Sequence, residues 1–561
     1  MKAKFYIWFF IGVLFLSIPA FGQKTVVVVQ PDTGLNIGAL NNAINSAANP
    51  GNTIFELKRG GLYLLNGTVS HTGYTLHIRA EAGTGACPIL QPGVDALGVS
   101  SYHFGAGASI ILEGLYIYGL NELGAFVGNA INVTGTGNRT VINNCYLDYS
   151  NASFVYLSSI NNRVFITNSI CRNATQPANA SNGRVIDARG NPQDTLVIKN
   201  STIYNVSAKT ISGPGYVGYM DFSNNTSFRC NLTSVFALGG TVDCHINNNI
   251  FYDYCLRGAR NSPTHTLFTI DSIYTVGSKT DADRHFDMRN NNWYQEPQYM
   301  EYILEYTPKP GDTNYKDDML YTFALSDTEK KDKIWYTEFC IRKHLFNQPI
   351  YDTIVNNPYF PDAVTEKWVK SGQIDTANFI SESLSFKNPP PFFADYWKFQ
   401  IQNHWSIKGT NPPNAYADED LTAMGEVKTG AFDFSYNTGS KSAKGGIGGL
   451  PLGDPRWTPF STVSVEDIET NKLNTVKTYP NPANQQITFE IKSEESTSVK
   501  IILSDLLGKQ LMMVEKQLVS GNNSIFVDLK SISRTGIYLY QIQFESSNGK
   551  KSITSGKFVK K

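Results

Sequence analysis

Five segments of the chain share one pattern, apolar-x-Asn-x-x-apolar: Ile142–Leu147, Ile166–Cys171, Ile198–Ile203, Ile246–Phe251 and Met288–Trp293. A sixth, Leu112–Ile117, carries Gly114 where the others carry Asn. Asn144 and Asn168 are 24 residues apart, Asn200 and Asn248 are 48 apart, and a degenerate copy at Phe222-Ser223-Asn224 falls midway. The longer step from Asn168 to Asn200 holds an extra polar loop, Ala174 to Gly183. Repeats of this length, stacked on their neighbours, build a solenoid.

A second short apolar run lies 13–15 residues before each Asn: Ile131–Val133, Val155–Leu157, Val185–Asp187 and Val235–Ala237. These runs alternate and are bounded by Asn, Gly and Ser, as strands are, and no room is left for a helix between them. The expected architecture is all-β: a right-handed parallel β-helix with two or three short strands per turn. The recurrent Asn is then mechanical, because at a fixed corner Asn tolerates a left-handed backbone and its amide can bond the coils above and below.

Composition agrees. Forty-six Gly, 30 Tyr and 32 Phe accompany only 17% charged residues, a mixture poor in helix formers. Lys+Arg and Asp+Glu both total 48, so there is no basic footprint and no nucleic acid partner is expected. Lys2, Lys4, the apolar run Phe5–Ile18 and Ala20-Phe21-Gly22 read as a signal peptide over 1–22. The run falls short of the roughly 20 residues a membrane span needs, so the mature chain is expected to have no transmembrane anchor. Seven cysteines, an odd number with no CxxC pair, read as buried small hydrophobes, with one or two disulfides left open.

The chain divides into a β-helix domain over 23–460, a polar linker over 461–474 and a final segment over 475–561. Residues 23–110 form the entry, with a strand at Val26–Val29 and a capping helix over Leu40–Ala48 whose Leu40, Ala43, Ile44 and Ala47 share a face. Residues 295–446 lose the repeat, are rich in aromatics and prolines, and read as an elaboration with a helix near Asp362–Lys370. The final segment alternates in strands separated by Gly/Asn turns, the grammar of a small antiparallel sandwich.

That final segment resembles the type A C-terminal sorting domain of the type IX secretion system of Bacteroidota. The matching elements are Tyr479-Pro480-Asn481-Pro482, Asp505-Leu506-Leu507-Gly508-Lys509, Val527-Asp528-Leu529, Gly536-Ile537-Tyr538 and the Lys-rich end. The resemblance implies handling by the type IX machinery, export across the outer membrane, then removal of the domain or attachment to surface lipopolysaccharide. The solenoid resembles the pectin-lyase superfamily. Its Asn-rich coils and the Gly453-Asp454-Pro455-Arg456-Trp457 finish are similar to Bacteroidota β-helix families found with glycan-degradation genes. The diagnostic motifs of classical pectate lyases have no counterpart here.

The outward strand positions carry the candidate chemistry. Alternation in Val185–Arg189 turns Ile186 inward and Asp187 and Arg189 outward, with Asn132 and Tyr156 at the equivalent place on preceding turns. An aromatic plate beside an Arg–carboxylate pair suits a sugar-facing stripe, and Asp187 and Arg189 are the candidates for catalysis. The alternative is a surface salt bridge. Arg257 and Arg260, near His265, suit uronate carboxylates. Asp281-Ala282-Asp283-Arg284-His285 is a candidate Ca²⁺ site, though two acids fall short of six to eight oxygens. Phe392, Phe393, Tyr396 and Trp397 form either a stacking platform or core. No GxSxG, HExxH, P-loop or GxGxxG context is present. The expectation is an exported protein that binds an extracellular, acidic polysaccharide. A diverged polysaccharide lyase or hydrolase and a structural or adhesive role stay open.

Overall fold

The computed structural model describes residues 24–94, 102–253, 283–296, 380–402, 432–458 and 475–561, apart from short internal stretches, together with a few isolated residues between 268 and 375. The chain separates into two compact units, 1–460 and 461–561.

The first unit is a parallel β-solenoid of about eight turns. Each full turn contributes one strand to each of three stacked sheets. Sheet A has eleven strands, sheet B nine and sheet C eight, and neighbours within each are parallel and successive turns apart. One turn illustrates the path: Arg139–Asn143 in sheet A, Tyr146–Ser150 in sheet B, Ser153–Leu157 in sheet C, then Arg163–Thr167 back in sheet A. Inward residues stack in files such as Ile142, Ile166 and Ile198, all fully buried. The entry forms as expected. Strand Thr25–Val29 pairs with Thr53–Leu57, and helix Ala39–Ser46 sends Leu40 and Ile44 into the first turn's core.

The repeated Asn marks the corner from sheet A to sheet B. Gly114, Asn144, Asn168, Asn200, Asn224, Asn248 and Asn290 all have positive φ, between 51° and 70°. Left-handed backbone is costly for most L-residues and cheapest for Gly and Asn, which accounts for their recurrence. Part of the expected side-chain ladder is there: Asn168 Nδ2 donates to Asn143 Oδ1 (2.9 Å), Asn200 Nδ2 to Asn168 Oδ1 (3.3 Å) and Asn248 Nδ2 to Asn224 Oδ1 (3.1 Å).

The continuous ladder sits one residue later and points inward. Cys145, Ser169, Ser201, Asn225, Asn249 and Asn291 are all buried. Each accepts from a backbone N–H one turn earlier: Leu115 to Cys145 Sγ, Cys145 to Ser169 Oγ, Ser169 to Ser201 Oγ, Ser201 to Asn225 Oδ1, Asn225 to Asn249 Oδ1 and Asn249 to Asn291 Oδ1, at 2.9–3.4 Å. A corner in a tightly wound solenoid turns backbone amides away from the sheet ladder. This column satisfies them without water.

Among the described cysteines Cys87, Cys145, Cys171, Cys230 and Cys244 are unpaired, and the last four are buried, so they pack as small hydrophobes. Burial pushes the Cys145 and Cys230 thiols up to about 12.

Part of the expected elaboration returns to the solenoid. Ile374–Asp375 pairs with Met288–Arg289 at the end of sheet A, and Leu384, Phe386, Phe434, Tyr436 and Leu452 pack over sheet B against Ile170, Tyr204, Phe228, Ile250 and Tyr252. The Gly453–Trp457 box is a clasp. Gly453 N–H donates to Asn248 O (2.8 Å), Asp454 N–H to Thr226 Oγ1 (3.0 Å), Thr202 Oγ1 to Asp454 Oδ2 (2.6 Å) and Arg456 to Asn168 O (2.8 Å). It therefore ties four successive turns together. Tyr396 and Trp397 lie in helix Ala394–Gln402, are buried and meet edge-on at 5.6 Å, so they are core and not a sugar platform. Phe393, the helix expected at Asp362–Lys370 and the signal peptide lie outside the described residues.

The second unit is an antiparallel sandwich. One sheet holds Thr475–Tyr479, Gln486–Ser493 and Gly521–Asp528; the other holds Thr497–Ser504, Gln510–Leu518, Gly536–Ser546 and Lys551–Lys560. Ile487, Phe489, Ile501, Leu503, Ile542 and Phe558 fill the space between them.

Candidate functional site

Sheet C brings the expected stripe into one file. Asn132 pairs with Tyr156, Tyr156 with Asp187 and Asp187 with Ser212, on four consecutive turns. Arg189 leaves this strand with φ 50° and its side chain is 59% exposed. Its guanidinium stands 5.6 Å from the centre of the Tyr156 ring, a cation–π contact. Asp187 departs from the expectation: its side chain is only 3% exposed. Arg189 Nε lies 2.9 Å from Oδ2 and Arg184 Nη1 3.5 Å away, while the Arg189 N–H donates to Oδ1 at 3.3 Å. Two cations roof the carboxylate. It aims Arg189 and is not open to substrate as a base. The hydrogen bond and charge of Asp187 hold the Arg189 guanidinium still more firmly protonated. Arg257, Arg260 and His265 lie outside the described residues.

A second constellation occupies the outer face of sheet A. Each strand turns the residues five, three and one before its corner Asn to the outer face, some of them covered by their neighbours. On the earlier turns these include Val141, Phe165 and Val197, with Arg139 4.9 Å from the Phe165 ring. On the last turns they become Tyr219, Asp221 and Ser223, then Asp243, His245 and Asn247, then His285, Asp287 and Arg289, in register. Asp243 Oδ1 lies 2.9 Å from His285 Nδ1 and 3.1 Å from His245 Nε2. His245 Nδ1 lies 3.5 Å from Asp287 Oδ2, which accepts from Asn247 Nδ2 (3.1 Å), while Arg289 Nε donates to Asp287 Oδ1 (2.6 Å). Asp221 receives Lys199 (2.9 Å), Ser223 (2.6 Å) and Tyr219 (3.2 Å).

The electrostatics follow from those contacts. The Asp287 hydrogen bond raises the His245 pKa against the opposing effect of burial, with Asp243 and Asp221 adding to it. Burial alone would raise Asp287, but His245, Arg289 and Asn247 outweigh it and hold the carboxyl well below the usual range. Burial and then the charge of Asp221 push the Tyr219 phenol up, so it is suited to donating a hydrogen bond.

Sequence reasoning reached only His285 here, within a calcium reading. Within that stretch Arg284 is buried beside the Phe286 ring (4.9 Å), and His285 pairs with Asp243 across the sheet. Asp281 lies outside the described residues. The missed signal was available, because counting back five and three from Asn248 and from Asn290 gives Asp243, His245, His285 and Asp287.

The comparisons with known proteins bear on the second unit. Residues 477–557 match the family described as the secretion system C-terminal sorting domain, and the antiparallel sandwich is the structure those residues form. The chain is a parallel β-helix protein bearing a type IX secretion sorting domain, which marks it for secretion across the outer membrane. No helix among the described residues is long and apolar enough to cross a membrane. No curated protein matches the sequence. Among solved structures, dimeric latent PorU from Porphyromonas gingivalis is similar at 23% identity, over 16% of this chain and 9% of that one, with a TM-score of 0.14. The overlap thus spans less than a tenth of that protein's length.

Proposed function

We propose that the solenoid, once exported, binds an acidic extracellular polysaccharide, with Asn132, Tyr156 and the neighbouring Arg189 as its contact surface. The observation that carries this reading is Arg189: an exposed guanidinium, oriented by a buried carboxylate and resting on an aromatic ring. An arginine whose Nε is already committed to Asp187 keeps its outer N–H groups for a second anion, and a uronate carboxylate matches their fork. Parallel strands repeat at about 4.8 Å, so Asn132, Tyr156 and Ser212 offer hydrogen-bonding or stacking groups along the axis of an extended chain. Arg257 and Arg260 extend the same proposal as further uronate contacts.

A second reading, a diverged lyase acting by β-elimination, is favoured by the sheet A constellation. Two imidazoles and the cations Lys199 and Arg289 stand among three carboxylates there, and β-elimination needs a base beside a group that neutralises the uronate. One experiment separates the two. The full chain is titrated calorimetrically with polygalacturonate, alginate, chondroitin and neutral glycans while absorbance is followed near ~235 nm, where a new conjugated double bond absorbs. Saturable binding of acidic polymers with flat absorbance, weakened about 10- to 100-fold in Arg189→Ala, is the expected result. Rising absorbance would transfer the proposal to sheet A, and binding that ignores Arg189 would overturn it.

A further inference from the structure

We propose that Asp243 Oδ1, His245 Nε2 and His285 Nδ1 form a binding site for a divalent transition metal of the zinc class on the outer face of sheet A. The three atoms all lie within 4.8 Å of one another, and Asp243 Oδ1 is 2.9–3.1 Å from both imidazole nitrogens. Tetrahedral zinc with bonds of about 2.0–2.1 Å sets its ligand atoms roughly 3.3–3.4 Å apart, so small side-chain rotations open the cluster to the right size. The backbone is already arranged for it. Asp243 and His285 are direct cross-strand partners, and His245 follows Asp243 two residues along the same strand, on the same face.

A second feature points the same way. His245 presents its other nitrogen, Nδ1, to Asp287 at 3.5 Å, and Asp287 is itself fixed by Arg289 at 2.6 Å and Asn247 at 3.1 Å. A carboxylate behind a ligating imidazole sets its tautomer and orientation and raises its basicity, which is the usual support of a histidine–metal bond. Salt bridges on a surface need no such backing. The ligand chemistry also selects the metal. Two imidazoles and one carboxylate suit zinc and its neighbours, whereas calcium takes six to eight oxygens. Three protein ligands leave a fourth position for water or an anionic oxygen. The inference does not depend on the sheet C proposal, which uses another face.

The test uses the untagged full chain, stripped with chelator, dialysed and titrated with Zn²⁺ by calorimetry, then with Co²⁺ under visible absorption. Expected are one equivalent of Zn²⁺ with Kd at or below ~10 µM, no displacement by millimolar Ca²⁺, and the intense visible bands of four-coordinate cobalt. His245→Ala and His285→Ala should each weaken uptake at least 10-fold, and Asp287→Asn should weaken it about 10- to 100-fold. No saturable uptake, uptake unchanged in the double histidine variant, or a pale six-coordinate cobalt spectrum overturns the proposal. The cobalt spectrum is read on the wild-type chain, so it decides the matter even if a variant misfolds.

Discussion

Replacing Asn249 by Ala tests whether the inward column holds the solenoid together. The Asn249 side chain is fully buried; its Oδ1 accepts from the Asn225 N–H (2.9 Å) and Nδ2 (3.2 Å), and its Nδ2 donates to Phe222 O (2.8 Å) and Asn291 Oδ1 (2.9 Å). Truncation takes away the acceptor of the Asn225 N–H. It also removes one bond from each of three other groups, two of which keep a partner: Asn225 Nδ2 keeps Ile198 O (2.8 Å) and Asn291 Oδ1 keeps the Asn249 N–H (2.9 Å). An orphaned buried donor costs about 1–3 kcal/mol and each lost bond about 1 kcal/mol, so the expected loss is about 4 kcal/mol. Asn249→Ser retains an acceptor where Ser169 and Ser201 already serve, and should lose only about 1–2 kcal/mol. Asn168→Gly, at the exposed outer position with φ 51°, should cost less than about 1 kcal/mol, since Gly accepts that backbone freely. Hydrogen exchange of peptides covering residues 220–230 reads the local effect. Protection should fall about 1,000-fold in the Ala variant and about 10-fold in Ser, at one decade per 1.4 kcal/mol. Equal effects for Ala and Ser, or a drop below tenfold in Ala, would refute the column's role.

Three other outcomes follow from named contacts. Burial pushes the Asp253 carboxyl up to about 7 despite Arg229, against 3.8 without the fold. The folded state therefore holds a proton the unfolded chain has lost, and stability should fall by on the order of 4 kcal/mol as pH rises from about 4 through 7; the difference between wild-type and Asp253→Asn urea midpoints across that window measures it, and parallel profiles would contradict it. Asp454→Ala removes the acceptor for Thr202 and cuts the clasp, so limited proteolysis within 432–458 should accelerate about 10- to 100-fold while the solenoid stays folded; an unchanged cleavage rate would show that the clasp holds nothing. Deleting residues 477–557 should leave the solenoid inside the outer membrane on cell fractionation, and its release to the medium would contradict the sorting role.

The solenoid was legible because its corners impose a backbone demand that few residues meet. Every corner Asn of the repeat, and Gly114, has left-handed φ, so chemistry and period coincide. The inward column was less visible because Cys, Ser and Asn all supply its acceptor, and no single letter repeats. The Asn132–Tyr156–Asp187 register could be read because each lies 12 or 13 residues before its corner Asn, whatever the length of the loop that precedes it. What alternation did not disclose is that Asp187 would be roofed by Arg184 and Arg189, since the second arginine arrives from a left-handed corner rather than from the strand. The sheet A constellation was hidden by length. Forty-two residues separate Asp243 from His285 in sequence, yet they are adjacent in the sheet. Only alignment on Asn248 and Asn290 brings them together. The aromatic cluster at Tyr396 and Trp397 carried no period to say which face was covered, and burial decided it.

The central claim, that this secreted β-helix recognises the charge of an acidic glycan through Arg189, is tested most directly by a paired titration. The full chain is titrated with polygalacturonate and with the same polymer after its carboxylates are reduced to alcohols. The account predicts saturable binding of the acidic polymer, at least tenfold weaker binding of the reduced one, and loss of that difference in Arg189→Ala. Equal binding of the two polymers, or a preference that survives in Arg189→Ala, would contradict it.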